Sequence, residues 1–424
     1  MSSAFGTALS ALTADSTAID VVGNNLANLN TTGFKASEIG FSDVMSQSLG
    51  VGTDNSQIGM GVNQISTSQN FTQGSLTTTS GPLDAALQGN GFFVVKDSAG
   101  NQLYTRDGSF QLDANGNLLT ASGQNVEGWS AVNGVVNANG AVSNISLPVG
   151  SVMPPATTAN MSMNVNLDSQ TAANGTFSAP IQVYDTLGTA HTLTVNYTET
   201  GPGAWTYTVT IPNSDEANPV AGTTSTTLAT GQLGFDASGN LTTPVPAVPP
   251  ALNAPVPVTT GAAALADGAN LSINWNLFNS AGTPTITQYA GASAMSNPTQ
   301  DGYAAGQISS FGIQTGGLIV ASYTNGQQVT MGQLAVASIA NPTSMLQVGN
   351  NNLQASAATA QAAIGAAGSG GRAAIVGGAL ESSNTDMAAQ FTQLLTYERS
   401  YQAASRVITT SDQLAQDTVA LVQA

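Results

Sequence analysis

The chain has 424 residues and a formal net charge of -17, from 23 acidic residues against six lysines and arginines. A surplus of acid is repelled by phosphate backbones and by anionic lipid, which argues against nucleic acid as a partner and against membrane insertion. Cysteine is absent, so disulfides and thiolate metal sites are excluded. Only 7% of residues are charged, and a surface made polar by uncharged side chains suits subunits that touch each other.

The first residues, Met1–Phe5, contain no basic segment, and no long apolar run follows them. The sequence therefore predicts neither a Sec signal peptide nor a membrane-spanning helix, which needs roughly 20 apolar residues. A strand-rich chain without cysteine is nevertheless typical of extracellular proteins. An export route that needs no cleaved signal would reconcile these two observations.

Residues 1–34 carry apolar side chains three and four positions apart, which predicts an amphipathic helix. The pattern stops near Asn28–Thr32, where Gly33 can adopt the left-handed conformation that ends helices. The residues of the apolar stripe are Leu9, Leu12, Ile19, Val22, Leu26 and Leu29.

Residues 380–424 carry a second helical pattern, with apolar residues repeating every seven positions. Periodicity alone leaves open whether this face packs on its own domain, on the N-terminal helix or on neighbouring copies of the chain. Ser383–Asp386 supplies candidate N-cap residues. The repeating positions are Met387, Leu394, Tyr401, Ile408, Ala415 and Val422, flanked by Phe391, Leu395 and Leu414.

Between the two ends the sequence predicts short strands. The pattern Asp-x-x-Gly-Asn occurs at 97–101, 113–117 and 236–240, and it suits tight turns that close antiparallel hairpins. Six prolines within 244–257 predict a solvated loop without ladder pairing.

The predicted fold is therefore mostly β with α-helical termini, the two terminal helices being paired as a coiled-coil-like domain around nested β-rich domains. Residues 1–34 and 380–424 form the helical domain in this interpretation, and 35–70 form an extended connector. Residues 71–150 and 301–379 together form a β-rich middle domain. A β-rich outer domain at 151–300 is inserted between these two segments.

The N-terminal segment DVVGNNLANLNTTGFK at Asp20–Lys35 and the C-terminal segment GALESSNTD at Gly378–Asp386 resemble the bacterial flagellar rod and hook family. Further matches are TQGSL, GNGFFV, YTRDGSF and YERSYQA, at 72–76, 89–94, 104–110 and 397–403. The insert VYDTLGTAH at Val183–His191 resembles the hook form, whereas rod proteins are shorter.

The resemblance implies a structural subunit of the flagellar hook, a curved hollow tube that acts as a universal joint between rod and filament. It implies self-association into a helical homopolymer, with the terminal helices innermost. It also implies export by the flagellar type III apparatus and contacts with the hook cap protein, the distal rod protein and the hook–filament junction protein. The expected location is the extracellular hook.

Two sets of residues follow as candidate sites. The expected assembly interface comprises Leu9, Leu12, Ile19, Val22, Asn24, Asn25, Leu26, Asn28, Met387, Phe391, Leu394, Tyr401, Ile408, Leu414 and Leu421. The expected motif or hinge positions are Gly33, Phe34, Gly74, Gly91, Arg106, Gly371 and Asn384.

Other functions are weaker alternatives. A distal rod protein of the same family would lack the insert near His191, and a β-rich adhesin would not explain two helical ends. A carbohydrate-active enzyme needs paired carboxylates in a cleft, which 23 acidic residues do not exclude. His191 is the only histidine, so a structural role is favoured for it over catalysis, and no catalytic residue, cofactor or metal site is expected.

Overall fold

The computed structural model describes residues 2–44, 47–48, 57–219, 222–244, 255–260 and 265–423. The chain divides into two compact units. The first, called the terminal unit, comprises Met1–Val149, Ser310–Ser322 and Gln328–Ala424. The second, called the inserted unit, comprises Gly150–Ser309 and Tyr323–Gln327.

The described residues form two long helices, two short 3-10 helices and many short strands. The long helices are α1 (Ser2–Ala27) and α2 (Met387–Gln423), and the 3-10 helices are Asn213–Asp215 and Pro342–Ser344. The strands before residue 150 are β1 (Ser37–Asp43), β2 (Gln47–Ser48), β3 (Gln57–Ile58), β4 (Val62–Gln69), β5 (Leu76–Thr78), β6 (Ala85–Gln88), β7 (Phe92–Lys96), β8 (Gln102–Thr105), β9 (Phe110–Leu112), β10 (Leu118–Thr120), β11 (Asn125–Val132), β12 (Val135–Val136) and β13 (Ser143–Asn144).

The remaining strands follow in chain order. They are β14 (Val152–Met153), β15 (Asn160–Asp168), β16 (Thr176–Tyr184), β17 (Ala190–Gly201), β18 (Ala204–Pro212), β19 (Ser225–Phe235), β20 (Leu241–Thr243), β21 (Val256–Thr259), β22 (Ser272–Trp275), β23 (Ile286–Tyr289), β24 (Ala294–Gln300), β25 (Gly306–Ile313), β26 (Leu318–Tyr323), β27 (Gln328–Leu334), β28 (Val336–Ser338), β29 (Leu346–Gly349), β30 (Asn352–Gln354), β31 (Ala363–Gly365), β32 (Ala374–Gly377) and β33 (Ala379–Glu381).

The two terminal helices pack against each other within one chain. The Asn25 side chain, near the end of α1, donates a hydrogen bond to Gln390 Oε1, near the start of α2, at 3.0 Å. The helices therefore run antiparallel, and the predicted fold of a mostly β chain with paired helical termini is confirmed. Neither helix, over its described length, is long and apolar enough to cross a membrane.

The face that α1 turns into the subunit is lined by small side chains. Ala8, Ala14, Ala18 and Val22 are buried, whereas Leu9 is 49% exposed. Small residues let a neighbouring element approach the helix axis closely, so alanines can form the packed face. Of the predicted stripe only Val22 is buried, because the prediction counted large apolar residues and passed over alanine.

Residues 35–70 contain more regular structure than the predicted connector. Strands β1 and β4 pair as an antiparallel ribbon, with Ser37 opposite Gln69 and Asp43 opposite Val62. The ribbon packs on α1, and the Phe41 ring lies 6.0 Å from the Tyr397 ring of α2. The weak apolar pattern hid these strands because one side of the ribbon is exposed along most of β1.

The sheet of the terminal unit contains the strand order β26-β27-β11-β7-β8-β30-β29. Beneath it Phe93 and Phe110 pack edge to face, with ring centroids 5.0 Å apart. The predicted hairpin turns are confirmed: in the second copy, Asp113 Oδ1 accepts the backbone N–H groups of Asn115 and Asn117 at 2.8 and 2.7 Å. Gly116 of this turn has φ +84°, a conformation that favours glycine.

The inserted unit has two five-stranded sheets, ordered β16-β17-β18-β19-β20 and β21-β22-β15-β23, the latter with β24 beside β15. Their apolar faces share one core. At its centre the Tyr207 and Trp275 rings meet edge to face at 5.1 Å. Strand β15 runs parallel to β22 and β23, a long-range pairing that turn signals do not reveal.

The proline-rich segment is partly ordered into a strand, contrary to the prediction for 244–257. Pro257 lies in β21, opposite Asn274 of β22. Strand β21 stands at the end of its sheet order, where a residue without an N–H can face away from the ladder. Residues 245–254 of the predicted loop lie outside the described residues.

Candidate assembly site and its buried ion-pair junction

The two chain ends meet at a buried cluster of three charged side chains, called here the ion-pair junction: Lys35, Arg106 and Glu381. Lys35 Nζ lies 2.7 Å from Glu381 Oε1, and Arg106 Nη1 lies 3.2 Å from Glu381 Oε2. The Glu381 side chain is fully buried and the two cations are almost so. One carboxylate therefore joins the segment after α1, the β8–β9 region and the segment before α2.

Further hydrogen bonds complete the junction. The backbone N–H of Gly74 donates to Glu381 Oε1 at 2.8 Å. Lys35 Nζ donates to the Thr72 carbonyl at 2.7 Å, and Arg106 Nη2 donates to the Gly89 carbonyl at 2.9 Å. Such partners are what makes burial of an ion pair tolerable, because desolvation of each charge costs several kcal/mol.

Burial dominates the electrostatics of both cations. It lowers the pKa of Lys35 below its ordinary value, and the hydrogen bond and charge of Glu381 act in the opposite direction. The pKa of Arg106 is lowered by burial in the same way, again opposed by Glu381. The Arg106 guanidinium also lies 5.3 Å from the centre of the Phe92 ring, in a cation–π arrangement.

Two asparagines fasten the helix ends to this junction. Asn25, buried in α1, donates to the Ser37 carbonyl at 2.8 Å and accepts the Ser37 N–H at 2.9 Å. Asn384 accepts the Ala36 N–H at 2.8 Å and donates to the Asn70 carbonyl at 2.7 Å. An amide side chain can donate and accept at once, so each asparagine acts as a short piece of strand ladder.

Close backbone approach explains three of the motif glycines. A Cβ on Gly33 would lie 2.6 Å from the Arg106 carbonyl carbon, and one on Gly74 would lie 2.0 Å from the Ser382 carbonyl oxygen. A Cβ on Gly91 would lie 2.8 Å from Val336 Cγ1. The backbone N–H of Gly33 donates to the Glu381 carbonyl at 2.7 Å, and the adjacent Phe34 is buried.

The structure brings five of the seven predicted motif positions together here: Gly33, Phe34, Gly74, Arg106 and Asn384. Gly371 lies elsewhere, in a turn where its φ is +77°. The prediction did not single out Lys35 and Glu381. Their charges could have indicated the pair. The chain has only six basic residues, so few partners exist for a carboxylate that lies in a terminal motif.

Helix α2 begins at the junction and leaves much of its apolar surface uncovered. The Asp386 carboxylate caps it, accepting the N–H groups of Ala388 and Ala389 at 2.8 and 3.2 Å. No side chain of α2 described between 387 and 420 is fully buried. The large exposed apolar residues of α2 are Met387 (50%), Phe391 (50%), Leu395 (54%), Tyr401, Val407, Leu414 (59%) and Val419.

The predicted interface residues fall into three groups. Val22 and Asn25 are buried within the chain, and half-buried positions are Leu12, Ile19, Leu26, Asn28, Leu394 and Ile408. The exposed positions are Leu9, Asn24, Met387, Phe391, Tyr401 and Leu414. Leu421 lies in α2, but its side chain is outside those described.

Comparison with known families places these features in one class. The chain matches models described as "Flagella basal body rod protein" at residues 5–35 and "Flagellar hook protein FlgE/F/G D1 domain" at 86–170. It also matches "Flagellar basal body protein FlaE D2 domain" at 153–303 and "Flagellar basal body rod FlgEFG protein C-terminal" at 376–421. The chain, with paired helical termini and β-rich segments between them, is thus a protein of the flagellar rod and hook class.

Similarity to individual proteins shows which member of the rod and hook class the chain resembles. The chain is 32% identical to the flagellar hook protein FlgE of Escherichia coli K12, over 97% of this chain and 98% of that protein. It is also 32% identical to those of Borreliella burgdorferi and Treponema pallidum, over 96% and 93% of this chain and 96% and 94% of theirs. The chain belongs to the flagellar hook protein family, and it is a structural subunit of the bacterial hook.

Among solved structures, the flagellar hook protein FlgE2 of Helicobacter pylori aligns with a TM-score of 0.48 and 14% identity. The alignment covers 66% of this chain and 93% of that one.

Proposed function

We propose that this subunit polymerises through the exposed apolar faces of its terminal helices into a curved hollow tube, a universal joint that carries torque from rod to filament. Residues 1–34 and 380–424 form the inner layer in this proposal. The sheets formed by residues 71–150 and 301–379, and the domain at 151–300, lie outside it. The observation that carries the proposal is the uncovered apolar surface of α2, which one chain leaves in contact with solvent.

Leaving an apolar surface of this kind in water is unfavourable. Large apolar patches are rare on monomeric soluble proteins and usually mark sites of association. Burying a side chain the size of Phe391 or Leu395 is worth roughly 1.5–3 kcal/mol. A face that meets a different surface of the next copy makes a heterologous contact, and such contacts propagate as a helix when the rotation between copies does not close a ring. On α1, Leu9 and Asn24 are exposed as well.

The partners follow from membership of the family. Members of the family assemble with copies of themselves into the hook. The hook cap protein, the distal rod protein, the hook–filament junction protein and the type III export apparatus are the specific contacts that we propose. The same membership supports export to the cell exterior and a purely structural role.

A pair of substitutions tests the interface. Phe391→Ser combined with Leu395→Ser changes two exposed side chains and should leave the subunit folded, as judged by circular dichroism. We expect the variant to be added poorly to sonicated hook fragments in a pelleting assay followed by electron microscopy. Val132→Ser, at a valine that is 73% exposed outside the helices, is the matched control and should be added normally. Equal addition of both variants would contradict the proposal.

A further inference from the structure

The single histidine of the chain lies among carboxylates in the inserted unit. His191 Nδ1 is 3.0 Å from Asp215 Oδ2, and His191 Nε2 is 3.2 Å from Asp185 Oδ2. His191 and Asp185 are buried, whereas Asp267 beside them is exposed. The four side chains come from the start of β17, the turn before it, the 3-10 helix and a turn after the proline-rich segment, so only the fold assembles them.

Three of these groups have the arrangement of metal ligands. Asp185, His191 and Asp267 each offer one ligand atom, and the three atoms lie within 4.8 Å of one another. In a tetrahedral zinc site, ligand atoms at roughly 2.0–2.2 Å from the ion lie about 3.3–3.6 Å from one another. A movement of roughly 1 Å by the exposed Asp267 side chain brings this set to that spacing. In the structure Asp267 Oδ1 accepts the Ala269 N–H at 3.0 Å, and Oδ2 accepts the Thr189 hydroxyl at 3.1 Å.

The surrounding hydrogen bonds orient the donors. Asp185 Oδ1 accepts the N–H groups of Leu187 and Thr189, both at 2.8 Å, which leaves Oδ2 directed at the histidine. The Asp215 carboxylate is hydrogen-bonded to the other imidazole nitrogen, Nδ1. A carboxylate on one nitrogen of a histidine whose other nitrogen faces the donor set is the usual outer contact of metal-binding histidines, where it fixes the tautomer and raises ligand basicity.

The charge of the inserted unit points independently to a cation. Its residues include eight carboxylates and not one lysine or arginine, so His191 is its only side chain able to become cationic. Three carboxylates converge on this one side chain, and their negative charge in a partly buried place attracts a cation from solvent. The eight are Asp168, Asp185, Glu199, Asp215, Glu216, Asp236, Asp267 and Asp301.

We propose that Asp185, His191 and Asp267 bind a divalent cation of the zinc type, with Asp215 as the carboxylate that orients His191. A nitrogen ligand favours zinc over calcium and magnesium, which prefer oxygen donors alone. The exposed Asp267 gives the ion a path from solvent, and water completes the coordination. The site joins β17 to two loops and adds a cross-link within the inserted unit. The expectation of no metal site is thereby revised.

Isothermal titration calorimetry of the full-length subunit with zinc chloride tests the proposal, with magnesium and calcium chloride titrated in parallel. We expect one zinc ion per chain, bound at least tenfold more tightly than magnesium or calcium. Asp267→Asn should weaken zinc binding at least tenfold, and His191→Gln should abolish it. Asp215→Asn, which leaves every ligand in place, should weaken it about 10–100-fold, the usual effect of losing an outer contact.

Asp236→Asn is the matched control, because it removes one negative charge from an exposed turn of the same unit. It should bind zinc like the wild type. Circular dichroism of each variant verifies folding, and Asp267→Asn keeps the result interpretable if His191→Gln fails to fold. Equal losses in Asp267→Asn and Asp236→Asn, equal affinity for zinc and magnesium, or no saturable zinc binding would each overturn the proposal.

Discussion

Glu381 accepts a hydrogen bond of 2.7 Å from Lys35, although the two residues are 346 positions apart in the sequence. The same carboxylate contacts Arg106 through its second oxygen. The contact closes the chain on itself just where both terminal helices leave the sheets. The junction thus holds both helices to the sheets of the terminal unit through one buried carboxylate.

Removing the charge of Glu381 should therefore destabilise the terminal unit severely. In Glu381→Gln the cations Lys35 and Arg106 stay buried without a counter-charge, and breaking a buried pair in this way costs about 3–5 kcal/mol. Urea unfolding of the full-length subunit measures the loss. Glu398→Gln, on the exposed surface of α2, is the control and should change the free energy of unfolding by less than about 0.5 kcal/mol. Similar values for both variants would show that the junction contributes little.

Two glycine substitutions should have opposite effects. Gly74→Ala places a methyl group 2.0 Å from the Ser382 carbonyl oxygen, and the forced backbone shift should cost about 1–3 kcal/mol. Gly23→Ala, in α1, meets open space and should stabilise the helix by up to about 1 kcal/mol. Thermal unfolding of both variants, compared with the wild type, measures these effects. A stable Gly74→Ala protein would mean that the segment containing Gly74 and the Ser382 segment separate easily.

Neighbouring asparagines of α1 should differ in importance. Asn25→Ala removes the partner of both polar groups of the half-buried Ser37 backbone, and we expect a loss of about 1–3 kcal/mol, the range for leaving a polar group without its partner. Asn24 is exposed, so Asn24→Ala should be nearly neutral. Hydrogen exchange at the Ser37 amide measures the local effect. Unchanged protection of this amide in Asn25→Ala would contradict the role of Asn25 in holding the Ser37 backbone.

The inserted unit should lose stability in alkali because of Tyr197. Burial raises the pKa of this phenol, and the charge of Tyr207 adds to the rise. The unfolded chain loses the proton near the ordinary pKa of 10.0 while the folded chain retains it, so stability falls as the pH rises above about 10.

Tyr197→Phe should remove part of this loss and leave stability at pH 7 nearly unchanged. Urea unfolding between pH 8 and about pH 11, followed by circular dichroism, makes the comparison. Tyr289→Phe changes a half-exposed tyrosine of the same unit and should follow the wild-type profile. Parallel profiles for wild type and Tyr197→Phe would assign the alkaline loss to other groups.

Periodicity and turn chemistry revealed the local elements well. The stop signal near Asn28–Thr32 agrees with the end of α1 at Ala27, and the Asp-x-x-Gly-Asn turns close the hairpins that they predicted. Pairing across long separations was missed, as in the parallel contact of β15 with β22. Strand partners depend on the whole packed core, and no short window of sequence contains that information.

The sequence by itself determined the helical ends, the hairpins and the family, because each depends on residues close together. Only the tertiary structure decided that the packed face of α1 consists of alanines, that Glu381 lies between Lys35 and Arg106, and that His191 lies among three carboxylates. These arrangements depend on side chains brought together over tens to hundreds of positions. Burial and electrostatics act on distance in space, which the order of residues does not specify.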